Sequence, residues 1–573
     1  MNSETKICQN CKGKFTVDGD DLSFYEKFEE SAPDYCPACR MQRRLAHRNE
    51  RTLYKRECDL CGKDSVTIYP PNTPWPVYCA PCWWSDKWDA RIYGIPYDPS
   101  RPFFEQFREL QMAVPRIGLL NMNSVNSEYT NNSADNKNCY LIFAAEKNED
   151  CLYGRLIQNC KSVIDGAFVY DSELCYEAID CHKCYQTMFS EQCQASTDLL
   201  FCYDVRDSDH CILSVGLRHK SYAFENKGCS KEELERKKRE ILSSASSIAA
   251  AKRRLEELKQ QYPVKFASQT KCVKTTGDYL YNCHTSRMLF DTRNAKNCGY
   301  IADAEDPIDS LDCNNVYYKP ELCLDIMGTL QSYHLRHSAY IFYSHDMEYC
   351  DNCHSSESCF GGVGLRKAKY SILNKEYSKE EYKRIRGQII EALKREGMYG
   401  AFLPPSVSPF GYNETLAKDY WPLTKEQAIA EGFQWQGATT GMVGKETILR
   451  GKIPETIEEV GDSILNEVLV CLDCGRNFRI TPSELQFYRR MHLPLPRKDF
   501  ECRHQDRMRK RTPRALWHRK CQCAGGSSEN GAYRNSAGHF HASDHCLNEF
   551  ETSYAPERPE IVYCESCYNS EVV

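Results

Sequence analysis

Small or apolar residues return every nine positions through the middle of the chain: Cys175, Cys184, Cys193, Cys202 and Cys211 keep the step. An aromatic follows at Tyr176, Tyr185 and Tyr203, and an aspartate keeps the same interval at Asp171, Asp180, Asp198 and Asp207. A small inward residue, an aromatic and a polar turn residue in fixed order predict short strands that stack equivalent positions, as in a parallel β-solenoid. Two steps per coil would stack Cys175 on Cys193 and Cys211, whereas three would stack it on Cys202; the pattern leaves both open.

The pattern occurs twice. The segment from Val215 to Tyr222 recurs from Val363 to Tyr370, Asn226-Lys227 recurs as Asn374-Lys375, and Ser230-x-x-Glu233 recurs as Ser378-x-x-Glu381, all at one offset. In the second copy the inward slots hold Cys323, Ser332, Ile341, Cys350 and Cys359. Serine and isoleucine in that series indicate buried small or apolar residues rather than a ladder of metal ligands. Each copy ends on a capping-box signature, in which a hydroxyl and a carboxylate satisfy orphan backbone donors, so a helix should follow each. The first helix carries Leu234, Ile241, Ile248, Leu255 and Tyr262 at seven-residue spacing. Ser243 to Ser247 could break it into a hairpin; a coiled-coil contact and packing onto the solenoid are the other readings. A Gly- and Pro-richer stretch from about 397 reads as a connector ending in a short helix near 455–470.

Charge changes the picture. The net charge is only −6, but it is unevenly spread. Residues 40–56 hold seven Lys/Arg and one acid, and residues 489–520 hold twelve Lys/Arg and three acids, while 139–230 hold fourteen acids and eight bases. Basic ends thus flank an acidic body, which suits either an anionic partner at the termini or attraction between ends and middle. No apolar run reaches the ~20 residues of a membrane span, and no signal-peptide pattern begins the chain, so the expected location is the cytoplasm, with no membrane partner. In a reducing compartment 34 cysteines read as metal ligands or small buried residues; a secreted disulfide scaffold is the competing reading.

The terminal cysteines have ligand spacing. Cys8-x2-Cys11 with Cys36-x2-Cys39, and Cys58-x2-Cys61 with Cys79-x2-Cys82, each supply two knuckles, and two knuckles complete a tetrahedral zinc site. The C-terminus repeats the order. Cys471-x2-Cys474 is followed by Phe478, Phe487, Tyr488 and Cys502, but aligning Cys502 with Cys36 puts Gln505 where Cys39 stands, so His504 becomes the candidate fourth ligand. For the last site the expected ligands are Cys521, Cys523, Cys564 and Cys567, with His545 and Cys546 as substitutes. Two Zn2+ sites are therefore expected at the front and up to two more at the rear.

The order Cys-x2-Cys, Phe15, Phe24-Tyr25 and Cys36-Pro-Ala-Cys39-Arg40 resembles a small zinc-ribbon family of bacterial proteins, over about 35 residues at each end. The whole arrangement, tandem ribbons around a duplicated cysteine-rich middle, is similar to multidomain bacterial proteins. The resemblance implies zinc binding and leaves the activity undefined.

The expected fold is mainly β with α: terminal zinc-ribbon pairs flanking two parallel β-helix-like solenoid units, each followed by a helix. The expected division is ribbons at 1–100, solenoid at 101–229, helix or hairpin at 230–265, solenoid at 266–377, helix at 378–396, connector at 397–468 and ribbons at 469–573. Nucleic acid, RNA above all, is the leading expected partner. Arg40, Arg43, Arg44, Arg48 and Arg51 would line one helix face, with Arg507, Arg509, Lys510 and Arg511 at the rear and Tyr54 and Trp517 to stack bases. The alternatives are an internal clasp onto the acidic middle, and a protein scaffold docking partners through Trp83, Trp84 and Trp88. No phosphate loop, dinucleotide fingerprint, nucleophile elbow or His-Glu-x-x-His helix occurs. A hydrolase would have to use an open zinc at Cys502 and His504, or the recurring Asp180, Asp198 and Asp207.

Overall fold

The structure is a computed structural model describing residues 3–27, 30–317, 323–437, 443–542 and 544–572. Its middle is built from two parallel β-solenoids, over 121–228 and 269–376, in which residue i lies beside residue i+12. One coil is therefore twelve residues, neither eighteen nor twenty-seven. The nine-residue step was three sides of a four-sided coil: each side is a triplet of one inward residue, one ladder residue and one left-handed residue. Left-handed φ values recur at every third position, as at Asp165, Phe168, Asp171 and Leu174. That conformation is unfavourable for residues with a Cβ, and the hydrogen bonds that run from each coil to the next hold it in place.

Small residues fill many inward positions of so narrow a coil, with branched ones such as Val163 and Leu199 between them. Cys139, Cys151, Cys175 and Cys211 share one inner column, and Cys181 and Cys193 another; all are buried. Most of these thiols face a carbonyl two residues back and one nine residues on: Cys202 reaches Leu200 O at 3.7 Å and Cys211 O at 3.3 Å. Serine fills the same slot in the same way. Ser172 Oγ donates to Tyr170 O and accepts from the Cys184 N–H twelve residues on. Burial raises the pKa of Cys160, Cys202 and Cys211, keeping them as thiols. The second solenoid departs from the twelve-residue step at its start, where Gln269 pairs with Leu280 and Val273 with His284, and in a longer coil where Leu311 pairs with Leu324 instead of residue 323.

Both solenoids close alike. Asn226 and Asn374 bracket the backbone of Val215 and Val363 with their side-chain amides. The first is followed by two helices, Lys231–Leu242 and Ala245–Lys259, the second capped by Ser244, so the serine run does break the helix into a hairpin. The second is followed by Lys379–Arg395, with Ser378 and Glu381 forming the capping box. The helix expected at 455–470 is only a short 3-10 turn, Asp462–Asn466.

The chain divides into two units that cross its linear order. One comprises Met1–Leu120, Ala267–Gln436 and Arg514–Leu516; the other comprises Asn121–Phe266, Gly437–Pro513 and Trp517–Val573. The front cysteine blocks thus belong with the second solenoid, and the rear cysteine blocks with the first. Residues 101–120, expected in the first solenoid, include the helix Phe103–Ala113 and fall in the front unit. Phe103, Phe107 and Leu110 join a core that runs from Cys58 and Trp83 into Cys350 and Leu365.

Candidate metal centres and buried arginine clasps

Each front centre is a short hairpin facing a helix start. Strands Glu4–Ile7 and Lys14–Val17 present Cys8 and Cys11 on their turn, and Cys36 caps the helix Pro37–Leu45, which carries Cys39 one turn on. Pro37 suits the first helical position, where no N–H is needed. The four sulfurs lie within 4.8 Å of one another, with Cys11 and Cys36 at 3.8 Å, and the Cys36 N–H points at Cys8 Sγ at 3.3 Å. Cys58, Cys61, Cys79 and Cys82 repeat this: Cys61 and Cys79 are 3.9 Å apart and the Cys79 N–H reaches Cys58 Sγ at 3.2 Å. The neighbouring Cys39 thiol brings Cys36 down to about 5. Burial opposes ionisation of Cys58, but backbone N–H groups of Cys79, Cys61 and Leu60 bring it to about 7. Both tetrads are as expected from spacing.

The rear centres differ from expectation. Cys471, Cys474 and Cys502 gather, and the fourth group is Asp499, not His504. Asp499 caps the helix Phe500–Lys510 and accepts from the Cys502 N–H at 2.8 Å, while the Cys474 thiol reaches its other oxygen at 3.0 Å. It occupies the place of Cys36, and Cys502 that of Cys39. His504 is buried two residues along the helix, about 200° around it, and is not among the gathered ligands. The signal was present in the chain. The single offset that carries Cys8 to Cys471 and Tyr25 to Tyr488 also carries Cys36 to Asp499 and Arg40 to Arg503.

In the last module Cys521, Cys564 and Cys567 gather with Cys546, whereas Cys523 gathers with His539, His541 and Cys567. The expected quartet therefore splits, Cys546 replaces Cys523, and His545 is exposed outside both groups. A thiol hydrogen bond from Cys521 brings Cys564 down to about 4.

The basic runs become internal. Arg40 Nε lies 2.9 Å from Asp312, and Arg44, fully buried, pairs with Asp325 at 2.8 Å and Asn314 at 2.7 Å. Arg43 donates to Leu403 O, Arg48 pairs with Glu50, and Arg51 grips Asp419 through both nitrogens. In the rear unit Arg507 pairs with Asp165 at 2.7 Å, Arg511 grips Asp180 through two nitrogens, and Lys510 meets Glu191 at 2.9 Å. Burial opposes its charge, yet Lys259 and Lys510 hold Glu191 down to about 2. Of the expected phosphate-binding residues Arg509 is exposed, and it pairs with Asp506. Tyr54 donates to Glu414. These contacts do not support the expected nucleic-acid face: Arg40, Arg44, Arg507, Lys510 and Arg511 meet solenoid carboxylates, and Arg43, Arg48, Arg51 and Arg509 meet carboxylates or carbonyls elsewhere in the chain. Asp180 is likewise an ion-pair partner.

The tryptophan patch packs inward too. Trp75, Trp83 and Trp88 are buried, Arg366 lies over Trp83 and Trp88, and the half-exposed Trp84 abuts His354. Trp83 and Trp88 therefore cannot form the expected docking surface. Among the described residues no helix is long and apolar enough to cross a membrane. No protein-family model and no curated protein matches the chain.

Proposed function

We propose that the chain is a zinc-stabilised interaction scaffold, whose metal ions are structural and whose arginine-rich helices clasp its own coils instead of a nucleic acid. The observation that carries this reading is the burial of Arg40, Arg44, Arg48, Arg507 and Arg511 against carboxylates, which leaves that face closed to phosphate. Zinc is favoured by thiolate-rich tetrads: sulfur separations of 3.8 and 3.9 Å match the edge of a tetrahedron with metal–sulfur bonds of about 2.3 Å. Four protein ligands per group leave no open coordination position, which is the pattern of a structural site. The resemblance of the front block to a zinc-ribbon family agrees with this, and the many free thiols fit a reducing compartment such as the cytoplasm.

The test combines metal analysis with a binding assay on the full chain. Zinc should co-purify, a chelator should expose the terminal modules to protease, and a fluorescent single-stranded RNA should remain unbound at low salt. Affinity for that RNA that falls steeply with salt would restore the phosphate-binding reading.

A further inference from the structure

The last module contains seven ligand residues arranged as two groups of four that share Cys567. Two separate tetrahedral ions would need eight. We infer that this module holds one thiolate-bridged pair of metal ions, with Cys567 ligating both; this rests on the zinc-binding reading above and raises the expected total from four ions to five.

The geometry around the second group argues that it is a prepared site. His539 presents Nδ1 to Cys523 Sγ at 3.5 Å, while its Nε2 lies 2.7 Å from Glu571, and both side chains are fully buried. Glu571 is held by Tyr533 Oη, the Ser536 N–H and hydroxyl, and the Ala537 N–H. A carboxylate so fixed keeps the proton on Nε2 and leaves the Nδ1 lone pair facing the thiols, the arrangement that orients metal-bound imidazoles. His541 is set in the opposite sense. Its Nδ1 lies 2.7 Å from Asp544 O, and since a carbonyl only accepts, that nitrogen carries the proton and Nε2 turns its lone pair toward Cys567 Sγ at 3.2 Å.

The thiols are prepared as well. Asn535 donates an amide N–H to Cys523 Sγ at 3.2 Å, and Asn548 does the same to Cys564 Sγ at 3.3 Å. Backbone N–H groups of Cys564 and Cys567 point at Cys521 and Cys564. Cys546 and Cys564 stand 3.8 Å apart, the tetrahedral edge found in the front centres. Two divalent ions against five thiolates leave a charge of −1, whereas one ion would leave three uncompensated charges if all five thiols ionised. Sharing Cys567 therefore gives both ions four ligands and lowers the charge buried in the module.

Native mass spectrometry of the full chain loaded with Zn2+, together with 113Cd NMR of the cadmium-exchanged protein, tests this. The wild type should carry five ions, His541→Ala should carry four, and the cadmium spectrum should show two resonances split by mutual scalar coupling through Cys567. His539→Ala provides a second variant should His541→Ala fail to fold, and the cadmium coupling needs no variant at all. Four ions in a folded wild type, unchanged by either substitution, with no coupled cadmium pair, would overturn the bridged pair and leave structural zinc intact. A folded chain that binds no metal would instead overturn the zinc-scaffold reading itself.

Discussion

Helix Pro37–Leu45 of the front unit and helix Phe500–Lys510 of the rear unit meet their coils through matched residues, yet the two clasps are not equally built. In front, Asp21 accepts from Tyr300 Oη at 2.7 Å and Asp312 accepts from Arg40 and from Tyr25 Oη, while Arg44 has Asp325 and Asn314 of its own. At the rear, Glu484 replaces Asp21 and accepts from Tyr153 Oη at 3.0 Å, and Asp165 replaces Asp312. Asp165 serves Arg503 and Arg507 together. Its contact with Arg503 is an ion pair at 3.0 Å in which the N–H is not aimed at the oxygen. In each clasp one carboxylate meets both cations, Asp312 at 2.9 and 3.3 Å and Asp165 at 3.0 and 2.7 Å; the front clasp adds Asp325 and Asn314 close to Arg44, whereas the rear clasp adds Glu484 at 3.6 Å from Arg503. Asp499 in place of Cys36 carries the same divergence into the metal centre behind the rear helix.

Removing the shared carboxylate should break the symmetry most. Loss of one partner from a buried ion pair costs about 3–5 kcal/mol, because the other charge is stranded. Asp165→Ala leaves Arg507 with the Tyr153 carbonyl and the more distant charge of Glu177, and leaves Arg503 with Glu484 at 3.6 Å. Asp312→Ala leaves Arg44 its Asp325 and Asn314 partners, and leaves Arg40 the Tyr35 carbonyl and the nearby charge of Asp325. Urea unfolding should therefore show a larger loss for Asp165→Ala than for Asp312→Ala. Equal losses, or the reverse order, would mean that the two clasps are energetically alike.

A second difference is titratable. His337 stacks on Tyr349 in the front unit, and the matching rear residues are Phe189 and Phe201, stacked at 4.6 Å. His337 is fully buried between Asp325 at 3.4 Å and Glu30 at 3.5 Å. Burial pulls its pKa down, but those two carboxylates raise it to about 9. A raised folded value means that the stabilisation is complete below the unfolded value of about 6.5 and is lost as pH rises through about 9, a loss of at most about 3 kcal/mol. Hydrogen exchange should show the coil at 333–349 losing protection between those pH values relative to the coil at 185–201 in the same molecule. Parallel behaviour of the two coils would show that His337 is not the buried cation.

Much of this was legible in the residues, and the failures have physical causes. Knuckle spacing identified both front centres because four thiolates within a few turns of chain have one geometric use. It does not reveal the rear one, because a helix cap can be Asp as readily as Cys and Asp499 stands where the front block has Cys36; the neighbouring Arg503 and Tyr488 hold the correct register. The solenoids were visible, but a step of nine in a coil of twelve visits a different side each time, so the column that stacks is not the series that catches the eye. Charge counts showed that ends and middle are opposite. They could not show that Arg44 is buried, because burial depends on Asp312, Asp325 and Asn314 far along the chain.

The smallest expected effect lies where the two units agree. Cys202 and Cys350 are equivalent inward residues, both fully buried, and each thiol reaches the carbonyls two residues back and nine residues on. Natural serines in the same columns make the first of these bonds at about the same or shorter length, as Ser190 does to Met188 O at 2.8 Å, and accept the N–H of the next coil, as Ser190 does from Cys202 at 3.0 Å. A hydroxyl at either cysteine would find its partners already present, so Cys202→Ser and Cys350→Ser should each cost about 1 kcal/mol or less. Leucine at either position adds volume to a site now filled by a fully buried thiol and should cost about 1–3 kcal/mol through overpacking. Thermal unfolding of the four variants measures both statements. If serine proved as damaging as leucine, the inner columns would depend on sulfur itself, and the serines that interrupt them in both units would have no explanation.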